Sequence, residues 1–439
     1  MSIDSEAKNR IAKLFDDGAY TELDSFGSSK VVTAYGMVNG APCYAFSQNI
    51  DADGASMCAC QAKKILRVYE LAEKTGYPVV GIFDSNGGKL TKGIDAVSSY
   101  SELIAKAARL SGVVPQVAVI AGVCAASAAV WAMNSDVVVM TDEGELFVNA
   151  PSVLGDKKVG TADAAVANGT AHISFDSIDE AVAGARDILA YLPLNNLGVA
   201  AETDCVPATG AFPAADAAAA VAAVADDGSV LELRKGFGTD TVTAFARIAG
   251  ESVGLVAAYG SLTADDCKKI ASFVGLCDAF SIPVVTVIDT EGYAKCADGE
   301  LDGMVKSASA LTKAYAEATT AKIALISGKA YGSAFVTFAG KASGADAVYS
   351  LEGAVIAPMA PEAAATIVYK DRLDSGEDKN TVYADYIAND ASAAAAAKKG
   401  AVDDVFAASE TVDKLINALD MLASKRVSTL DKKHTVLSF

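Results

Sequence analysis

The segment Ile120–Ala128 reads IAGVCAASA, and the segment Ile326–Ala334 reads ISGKAYGSA. Each is a short apolar run that leads through a glycine into small residues, a pattern typical of a strand that enters a helix through a tight turn. Three further pairs of segments return in the same order: Asp16-Asp17-Gly18 with Asp226-Asp227-Gly228, Pro78–Asp84 with Pro283–Asp289, and Asp136–Pro151 with Asp346–Pro361. The shared order predicts two copies of one domain, and therefore two related sites.

The length and composition of the chain fit two globular domains. It has 439 residues, of which 52% are hydrophobic and 21% charged, and one core rarely serves so long a chain. The formal net charge of −19 argues against nucleic acid and anionic membranes as partners. An anionic ligand would have to meet local lysines, arginines and backbone N–H groups.

Several features bear on compartment and metal binding. The eight cysteines are scattered and the chain has two histidines, so no metal site is predicted and free thiols are expected. The start, Met1–Asp4, lacks the basic and apolar stretch of a signal peptide, which predicts a cytoplasmic protein. The uncharged run 117–133 is interpreted as a buried strand, turn and helix because Gly122 interrupts it and Asp136 follows it.

Strands and helices are predicted to alternate in the first copy. Short β-branched runs predict strands over 31–35, 42–46, 79–83, 117–120 and 137–141. Helical spacing predicts helices over 57–74, 100–110 and 125–133, with Lys64 and Arg67 of the first helix away from its apolar side. This alternation predicts parallel strands. Residues 152–212 are expected to be an insertion and linker without a counterpart in the second copy, and an amphipathic helix is expected from Val412 to Leu422.

The two glycine turns are the strongest candidates for chemistry. A helix start leaves backbone N–H groups unpaired and carries partial positive charge, and small side chains let a ligand oxygen approach that backbone. Such a turn can stabilise an enolate oxygen. The alternative, which the pattern leaves equally open, is that the small residues only let helix and strand pack closely.

Two loops follow equivalent predicted strands, at Asp84–Lys89 and Asp289–Tyr293. Open α/β folds bind ligands at these strand ends, so the first loop can hold a phosphate or carboxylate, although a plain surface turn fits it as well. His172 and His434 are too isolated for a catalytic triad. We expect His172 to pack or to form hydrogen bonds.

Laid end to end, these segments resemble the carboxyltransferase subunit of biotin-dependent acyl-CoA carboxylases and decarboxylases, of the propionyl-CoA carboxylase beta and methylmalonyl-CoA decarboxylase alpha type. Further segments that carry the resemblance are Tyr191–Asn196, Gly236-Phe237, Ala314–Thr319, Ile356–Glu362 and Lys425-Arg426. The resemblance implies an α/β fold of tandem duplicated crotonase-like (ClpP/crotonase) domains of the ββα-superhelix type. Residues 1–205 would form the N-terminal carboxyltransferase domain on the acyl-CoA side, and residues 206–439 the C-terminal domain on the biotin side.

The resemblance also implies the residues of the two sites. Ala126 and Ser127 would hold the thioester oxygen of an acyl-CoA, and Gly332, Ser333 and Ala334 the ureido oxygen of biotin. The implied substrate-binding residues are Gly87, Gly88, Lys89, Lys64, Arg67, Phe335 and Val336. The implied biotin-binding residues are Gly292, Tyr293, Lys329 and Tyr331. No metal is implied.

The activity implied is transfer of a carboxyl group between a short acyl-CoA, of the acetyl, propionyl, malonyl or methylmalonyl type, and biotin, in either direction. No Met-Lys-Met biotin attachment sequence occurs in the chain, so biotin is expected on a separate carrier domain or subunit. The implied partners are the biotin carboxyl carrier protein, a biotin carboxylase or membrane decarboxylase subunits, and further copies of the chain, from a dimer to a trimer of dimers. A complex of the decarboxylase kind would place the protein at the membrane periphery.

The first turn departs from the family pattern. The family usually has two glycines where this chain has Ala126-Ser127, and the added methyl and hydroxymethyl groups crowd the approach to the backbone. This departure leaves open a non-catalytic scaffold subunit that keeps the fold. A third alternative is a biotin-independent crotonase-type enzyme, for which no suitable pair of glutamates is evident at the first turn.

Overall fold

The computed structural model describes residues 5–208 and 210–427. The described residues form two compact units, one within 5–201 together with 234–237 and the other within 202–233 together with 238–427. The start of the chain at Met1–Asp4 and the residue His434, both used in the sequence predictions, lie outside the described residues.

The first unit is built on a seven-stranded sheet in the order β1-β2-β3-β4-β5-β7-β9. Its strands are β1 (Tyr20–Leu23), β2 (Val31–Val38), β3 (Ala41–Gln48), β4 (Val79–Phe83), β5 (Gln116–Ile120), β6 (Val123–Ala125), β7 (Val137–Thr141), β8 (Glu145–Phe147) and β9 (Ile173–Phe175). Its helices are α1 (Glu6–Leu14), α2 (Ala59–Thr75), α3 (Ile94–Leu110), α4 (Ser127–Ala132), α5 (Pro151–Leu154), α6 (Ala162–Ala167) and α7 (Ile178–Tyr191). Strands β6 and β8 form a separate parallel pair.

The second unit repeats this plan in the order β10-β11-β12-β13-β14-β15-β17, with β16 beside β14. Its strands are β10 (Leu231–Leu233), β11 (Thr241–Ile248), β12 (Glu251–Leu262), β13 (Val284–Tyr293), β14 (Lys322–Tyr331), β15 (Ala347–Leu351), β16 (Val355–Ala357) and β17 (Asp404–Phe406). Its helices are α8 (Ala217–Ala222), α9 (Ala264–Ala279), α10 (Ala297–Leu301), α11 (Met304–Glu317), α12 (Pro361–Val368), α13 (Lys370–Asp374), α14 (Lys379–Tyr386), α15 (Ala393–Lys398) and α16 (Thr411–Leu422).

The repeated Asp-Asp-Gly motif anchors a hairpin turn in each unit. The Asp16 carboxylate accepts the backbone N–H groups of Asn39 and Gly40, at 3.0 and 2.8 Å. Both turn residues have positive φ, 52° and 76°, as a tight two-residue hairpin requires. Asp226 accepts the N–H groups of the equivalent turn, 249–250, at 3.2 and 2.8 Å. The repeat therefore encodes the antiparallel start of each sheet.

The predicted strands of the first copy are confirmed, since they fall within β2, β3, β4, β5 and β7. The three predicted helices correspond to α2, α3 and α4. The predicted parallel pairing is confirmed for the strands from β3 to β9. The sheet begins with an antiparallel part that was not predicted, formed by β1, β2 and β3.

The expectation that 152–212 lacks a counterpart is also wrong. Strand β9 extends the first sheet beside β7, as β17 extends the second beside β15, and a helix follows each of them, α7 and α16. Each of these edge strands has three residues, too few to show an alternating pattern. The first copy therefore continues to the end of α7.

Trp131 on α4 anchors the core of the first unit. Its ring is fully buried, lies stacked on Phe46 with centroids 5.3 Å apart and meets Phe83 edge-on at 4.7 Å. The indole N–H donates to the hydroxyl of Tyr69 at 3.0 Å. These contacts fix α4 and the turn before it. The run 117–133 thus forms β5, β6 and α4, as expected, and no helix among the described residues is long and apolar enough to cross a membrane.

Lys64 is buried in this core, and the prediction that it lies away from the apolar side of its helix is wrong. Only 4% of the residue is exposed, its ammonium donates to the carbonyl of Val31 at 2.9 Å, and burial lowers its pKa. The second unit repeats this arrangement, with Lys269 donating to the carbonyl of Thr241 at 2.7 Å. Helical spacing misses such a residue because the aliphatic stem of lysine packs like an apolar side chain.

Candidate active site

Ala126 forms the turn between β6 and α4. Its backbone has φ 54° and ψ −120°, a region normally occupied by glycine. The N–H of Ala126 donates to the carbonyl of Phe147 at 2.8 Å, which continues the pairing of β6 with β8. Ala126 was predicted to hold the thioester oxygen. This prediction is corrected, because the N–H of Ala126 is already bonded to Phe147. The available donors are the N–H groups of Ser127 and Ala128, for which the described part of the chain supplies no acceptor.

Gly332 forms the equivalent turn after β14. Its φ is 53°, and its N–H donates to the carbonyl of Ala357 at 2.9 Å. The next N–H groups, of Ser333 and Ala334, have no acceptor within residues 5–208 and 210–427. A Cβ added at Gly332 would lie 3.0 Å from the carbonyl oxygen of Pro358. Both units therefore present a pair of backbone donors after a residue with positive φ, but only the second unit keeps glycine there.

A pocket of 840 Å³ opens beside the first turn. Its lining contains Ala126 and Ser127 together with Gly87, Gly88 and Lys89, residues that the family resemblance assigned to the acyl-CoA side. The remaining lining residues are Asp53, Ser56, Asn86, Leu90, Thr91, Gly93, Ala96, Val97, Tyr100 and Ala125. Its volume lies within the range of small-molecule sites.

Backbone bonds to Met57 hold the loop that carries Lys89. The N–H of Met57 donates to the carbonyl of Gly87 at 2.8 Å, and the N–H of Lys89 donates to the carbonyl of Met57 at 3.0 Å. The Lys89 ammonium lies 2.7 Å from the Asp53 carboxylate, which Lys30 also contacts at 2.6 Å. Hydrogen bonding with Asp53 raises the pKa of Lys89. Lys89 is therefore a protonated, accessible cation at the pocket.

Among the pocket residues that sequence reasoning missed, Asp53 and Tyr100 carry ionisable side chains. Asp53 belongs to an Asp-Gly turn, a signal of a loop rather than of a site. Tyr100 is 6% exposed, and burial raises its pKa although Ser85 beside its hydroxyl acts in the opposite direction. Tyr100 was predicted only as part of a helix, because its place at the pocket depends on how α3 packs.

The implied substrate-binding residues on α2, Lys64 and Arg67, do not line this pocket. Lys64 is buried and bonded to backbone carbonyls, and we withdraw it from the substrate-binding residues. Arg67 lines a separate cavity of 530 Å³ with Lys63 and Glu70, and its guanidinium lies 3.7 Å from the Glu70 carboxylate. The structure therefore separates Arg67 from the residues at the first turn.

The predicted biotin-binding residues lie on β13 and β14, beside the second turn. Gly292 has φ 100°, and a Cβ added there would lie 3.4 Å from the carbonyl oxygen of Tyr331. The Lys329 ammonium bonds Glu291 at 2.7 Å, which raises the pKa of Lys329. The hydroxyl of Tyr293 lies 3.1 Å from that of Thr337. Phe335 and Val336 follow the turn on a five-residue π-helix, Phe335–Ala339, where Val336 is 52% exposed.

His172 has a structural role, as expected. Its side chain is buried, and Nδ1 accepts the backbone N–H of Val138 at 3.0 Å. Burial and, next, the charge of Arg234 lower the pKa of His172 well below its ordinary value. Among the described residues, no three histidine, cysteine or acidic side chains cluster as a metal site would require.

Comparison with known proteins places these features in one family. The family model for the carboxyl transferase domain matches residues 7–437. Methylmalonyl-CoA decarboxylase subunit alpha of Veillonella parvula is 34% identical, over 98% of this chain and 92% of the relative. The mitochondrial propionyl-CoA carboxylase beta chain of Rattus norvegicus is 31% identical, over 98% of this chain and 87% of the relative.

The solved structures agree with this placement. A structure of transcarboxylase 12S, described as a hexamer with methylmalonyl-coenzyme A and methylmalonic acid bound, superposes with a TM-score of 0.93 at 31% identity, over 99% of this chain and 92% of that chain. The predicted duplicated crotonase-like fold is confirmed by this match. The chain belongs to the carboxyl transferase domain family.

Proposed function

We propose that this chain transfers a carboxyl group between a short acyl-CoA and biotin carried on another protein. The observation that carries the proposal is the pair of equivalent turns in two units of one fold, each with two backbone N–H groups that find no acceptor among the described residues. Both reactants pass through an oxyanion: the enolate of the thioester and the enolate-like ureido group. One donor pair for each oxyanion explains why the domain is duplicated.

In the first unit, which corresponds to the predicted acyl-CoA domain 1–205, Ser127 and Ala128 would hold the thioester oxygen. A single such donor stabilises a transition state by roughly 3 kcal/mol. The pocket beside the turn has room for a short acyl group and part of the pantetheine arm. The protonated Lys89 would attract a phosphate or the carboxylate that is transferred. This pocket argues against the scaffold alternative, which requires no cavity at the turn.

In the second unit, which corresponds to the predicted biotin domain 206–439, the N–H groups of Ser333 and Ala334 would hold the ureido oxygen. Biotin would supply the ring nitrogen that carries the CO2. Gly332 fits this role because its missing side chain leaves the backbone accessible next to the carbonyl oxygen of Pro358. Tyr331, Gly292 and Lys329 would border the ring. Because the family builds one site from two protomers, Phe335 and Val336 would contact the acyl group that the first unit of a second protomer holds.

The names of the relatives suggest the setting of the reaction. They include a decarboxylase subunit, a carboxylase chain and a hexameric transcarboxylase, so we propose that partner subunits set the direction. By the same likeness we propose a homo-oligomer, from a dimer to a trimer of dimers, that works with a biotin carboxyl carrier protein and either a biotin carboxylase or a membrane decarboxylase subunit. We propose a cytoplasmic location.

The purified oligomer, assayed with free biotin, tests the proposal. We expect release of CO2 from malonyl-CoA or methylmalonyl-CoA that requires biotin. The control omits biotin, and a second control uses the chain unfolded and refolded into separated protomers. Biotin-independent hydration of an enoyl-CoA would favour the crotonase-type alternative. The scaffold alternative would be favoured by an intact oligomer that binds no short acyl-CoA and shows no biotin-dependent turnover with any of them.

A further inference from the structure

Cys58 and Cys60 lie at the start of α2 with their sulfur atoms in contact. The two Sγ atoms are 2.6 Å apart, in direct contact as two free thiols, so an S–S bond of about 2.05 Å needs only a small further approach. Cys58 is buried and Cys60 is exposed. Cys58 is the N-cap residue of the helix, but its side chain makes no capping hydrogen bond, so the thiol does not stabilise the helix end in the usual way.

The surroundings make Cys60 the more reactive thiol. Burial alone would raise its pKa, but hydrogen bonds with Cys58 and Ser28 outweigh this effect, and the net shift is downward. The pKa of Cys58 is raised by burial and by its bond with Cys60. A thiolate near the start of a helix of 17 residues is favoured by the helix dipole. The pair thus combines an accessible nucleophile with a protonated thiol behind it.

The core cysteines differ from Cys60. They are buried, and burial raises the pKa of each: Cys43, Cys124, Cys267 and Cys277. Such thiols are inert packing residues. The contact between Cys58 and Cys60 is therefore a specific feature and not a general property of the chain.

The pair is connected directly to the pocket of the first unit. Met57, the residue before Cys58, exchanges backbone hydrogen bonds with Gly87 and Lys89 at 2.8 and 3.0 Å. Ser56 and Asp53, on the same segment, line the pocket. A bond between the two sulfurs would pull Cys58 toward the first turn of α2 and shift the segment that positions Lys89.

We propose that Cys58 and Cys60 form a reversible disulfide that weakens acyl-CoA binding at the first-unit pocket. The effect on binding rests on the proposed function, whereas the disulfide does not. The oxidant is a low-molecular-weight disulfide. The Cys60 thiolate attacks one of its sulfurs and releases one thiol. Cys58 then loses its proton, attacks Sγ of Cys60 and releases the second thiol, so two protein thiols are oxidised and one external disulfide is reduced. A ring with one intervening residue is strained and therefore easily reduced again.

The test equilibrates the full-length oligomer with oxidised and reduced glutathione in varied ratio. Free thiols are then alkylated and peptides are mapped by mass spectrometry. We expect a Cys58–Cys60 disulfide that dithiothreitol removes. We expect the Cys58→Ser variant to keep glutathione on Cys60 instead, because the second thiol is missing. The Cys296→Ser variant, which removes an exposed thiol of the second unit, should behave like the wild type.

Binding is measured separately, as the dissociation constant for malonyl-CoA in the oxidised and reduced protein. We expect it to rise about threefold or more on oxidation and to recover on reduction, since a small displacement of positioning groups has large effects. Persistent glutathione on Cys60 of the wild type, or two alkylated thiols at every ratio, overturns the disulfide. A disulfide that forms without changing this constant overturns the coupling to the pocket. Failure to bind malonyl-CoA in the reduced state counts against the proposed function, not against the disulfide.

Discussion

Ala126 and Gly332 have nearly the same positive φ at equivalent turns, 54° and 53°. In both turns the backbone N–H donates to a carbonyl of an adjacent strand, that of Phe147 or that of Ala357. The turn geometry therefore does not depend on the side chain. At Gly332 a Cβ would meet the carbonyl oxygen of Pro358 at 3.0 Å. At Ala126 the methyl group is accommodated on the wall of the pocket. The first turn thus keeps a strained alanine that narrows its site.

We predict that Ala126→Gly stabilises the first unit by about 1 kcal/mol, because relief of an unfavourable φ outweighs the added backbone entropy of glycine. It should also raise turnover of methylmalonyl-CoA relative to malonyl-CoA, since the pocket gains the space of one methyl. Urea unfolding followed by the fluorescence of Trp131, the one tryptophan of the chain, measures the stability.

Gly332→Ala is the matched control for that variant. It introduces both the unfavourable φ and the short contact with Pro358, so we expect a loss of about 2 kcal/mol in the second unit and slower biotin-dependent turnover. Of the two residues, only Ala126 is assigned backbone strain in the native chain. A change of the unfolding free energy in the same direction for both substitutions would contradict that assignment.

We predict opposite consequences for two lysines that were both assigned to substrate binding. Lys64→Met leaves buried carbonyls without a donor and should cost about 2 kcal/mol of unfolding free energy, with KM for the acyl-CoA unchanged. Lys89→Met removes an accessible cation, so stability should change by less than about 0.5 kcal/mol while KM rises several-fold. An increase of KM in the Lys64 variant at full stability would restore that residue to the site.

The main strands could be predicted from the sequence because runs of β-branched residues are characteristic of buried strands. Strands β9 and β17 were missed because a three-residue edge strand is held mainly by its neighbour. The two turns were predictable from their small residues. Which N–H groups remain available was not, since the acceptor of the Ala126 N–H, Phe147, lies on a strand that pairs only after folding. The burial of Lys64 was hidden for a similar reason: its hydrogen-bond acceptors are backbone carbonyls, and these are present at every residue of the sequence.

We predict that Val336→Asp changes the preference among acyl groups. Val336 is exposed one residue into the π-helix after the second turn, so an aspartate there is tolerated by the fold but would repel an apolar or anionic acyl group. Relative turnover of acetyl-, propionyl- and butyryl-type substrates measures the effect. Unchanged ratios in a variant of normal stability would exclude Val336 from the acyl contact.

The buried His172 predicts a pH dependence of stability with a definite sign. Burial and Arg234 lower its pKa in the folded state below 6.5, so below that pH the unfolded chain binds a proton that the folded chain does not. The contribution of His172 is therefore complete above pH 6.5 and is lost as pH falls toward the folded pKa, by roughly 1.4 kcal/mol per pH unit.

His172→Asn isolates this contribution. The amide oxygen of asparagine can accept the N–H of Val138 in place of Nδ1, but asparagine does not titrate. Unfolding free energies from Trp131 fluorescence at pH 7.5, 6.5 and 5.5 should fall more steeply in the wild type than in the variant, by one proton's slope. Above pH 6.5, where both side chains are neutral, the unfolding free energies of the wild type and the variant should depend on pH with the same slope. Parallel curves throughout would mean that His172 has the same pKa in the folded and unfolded protein, which would contradict its burial as a neutral acceptor for Val138.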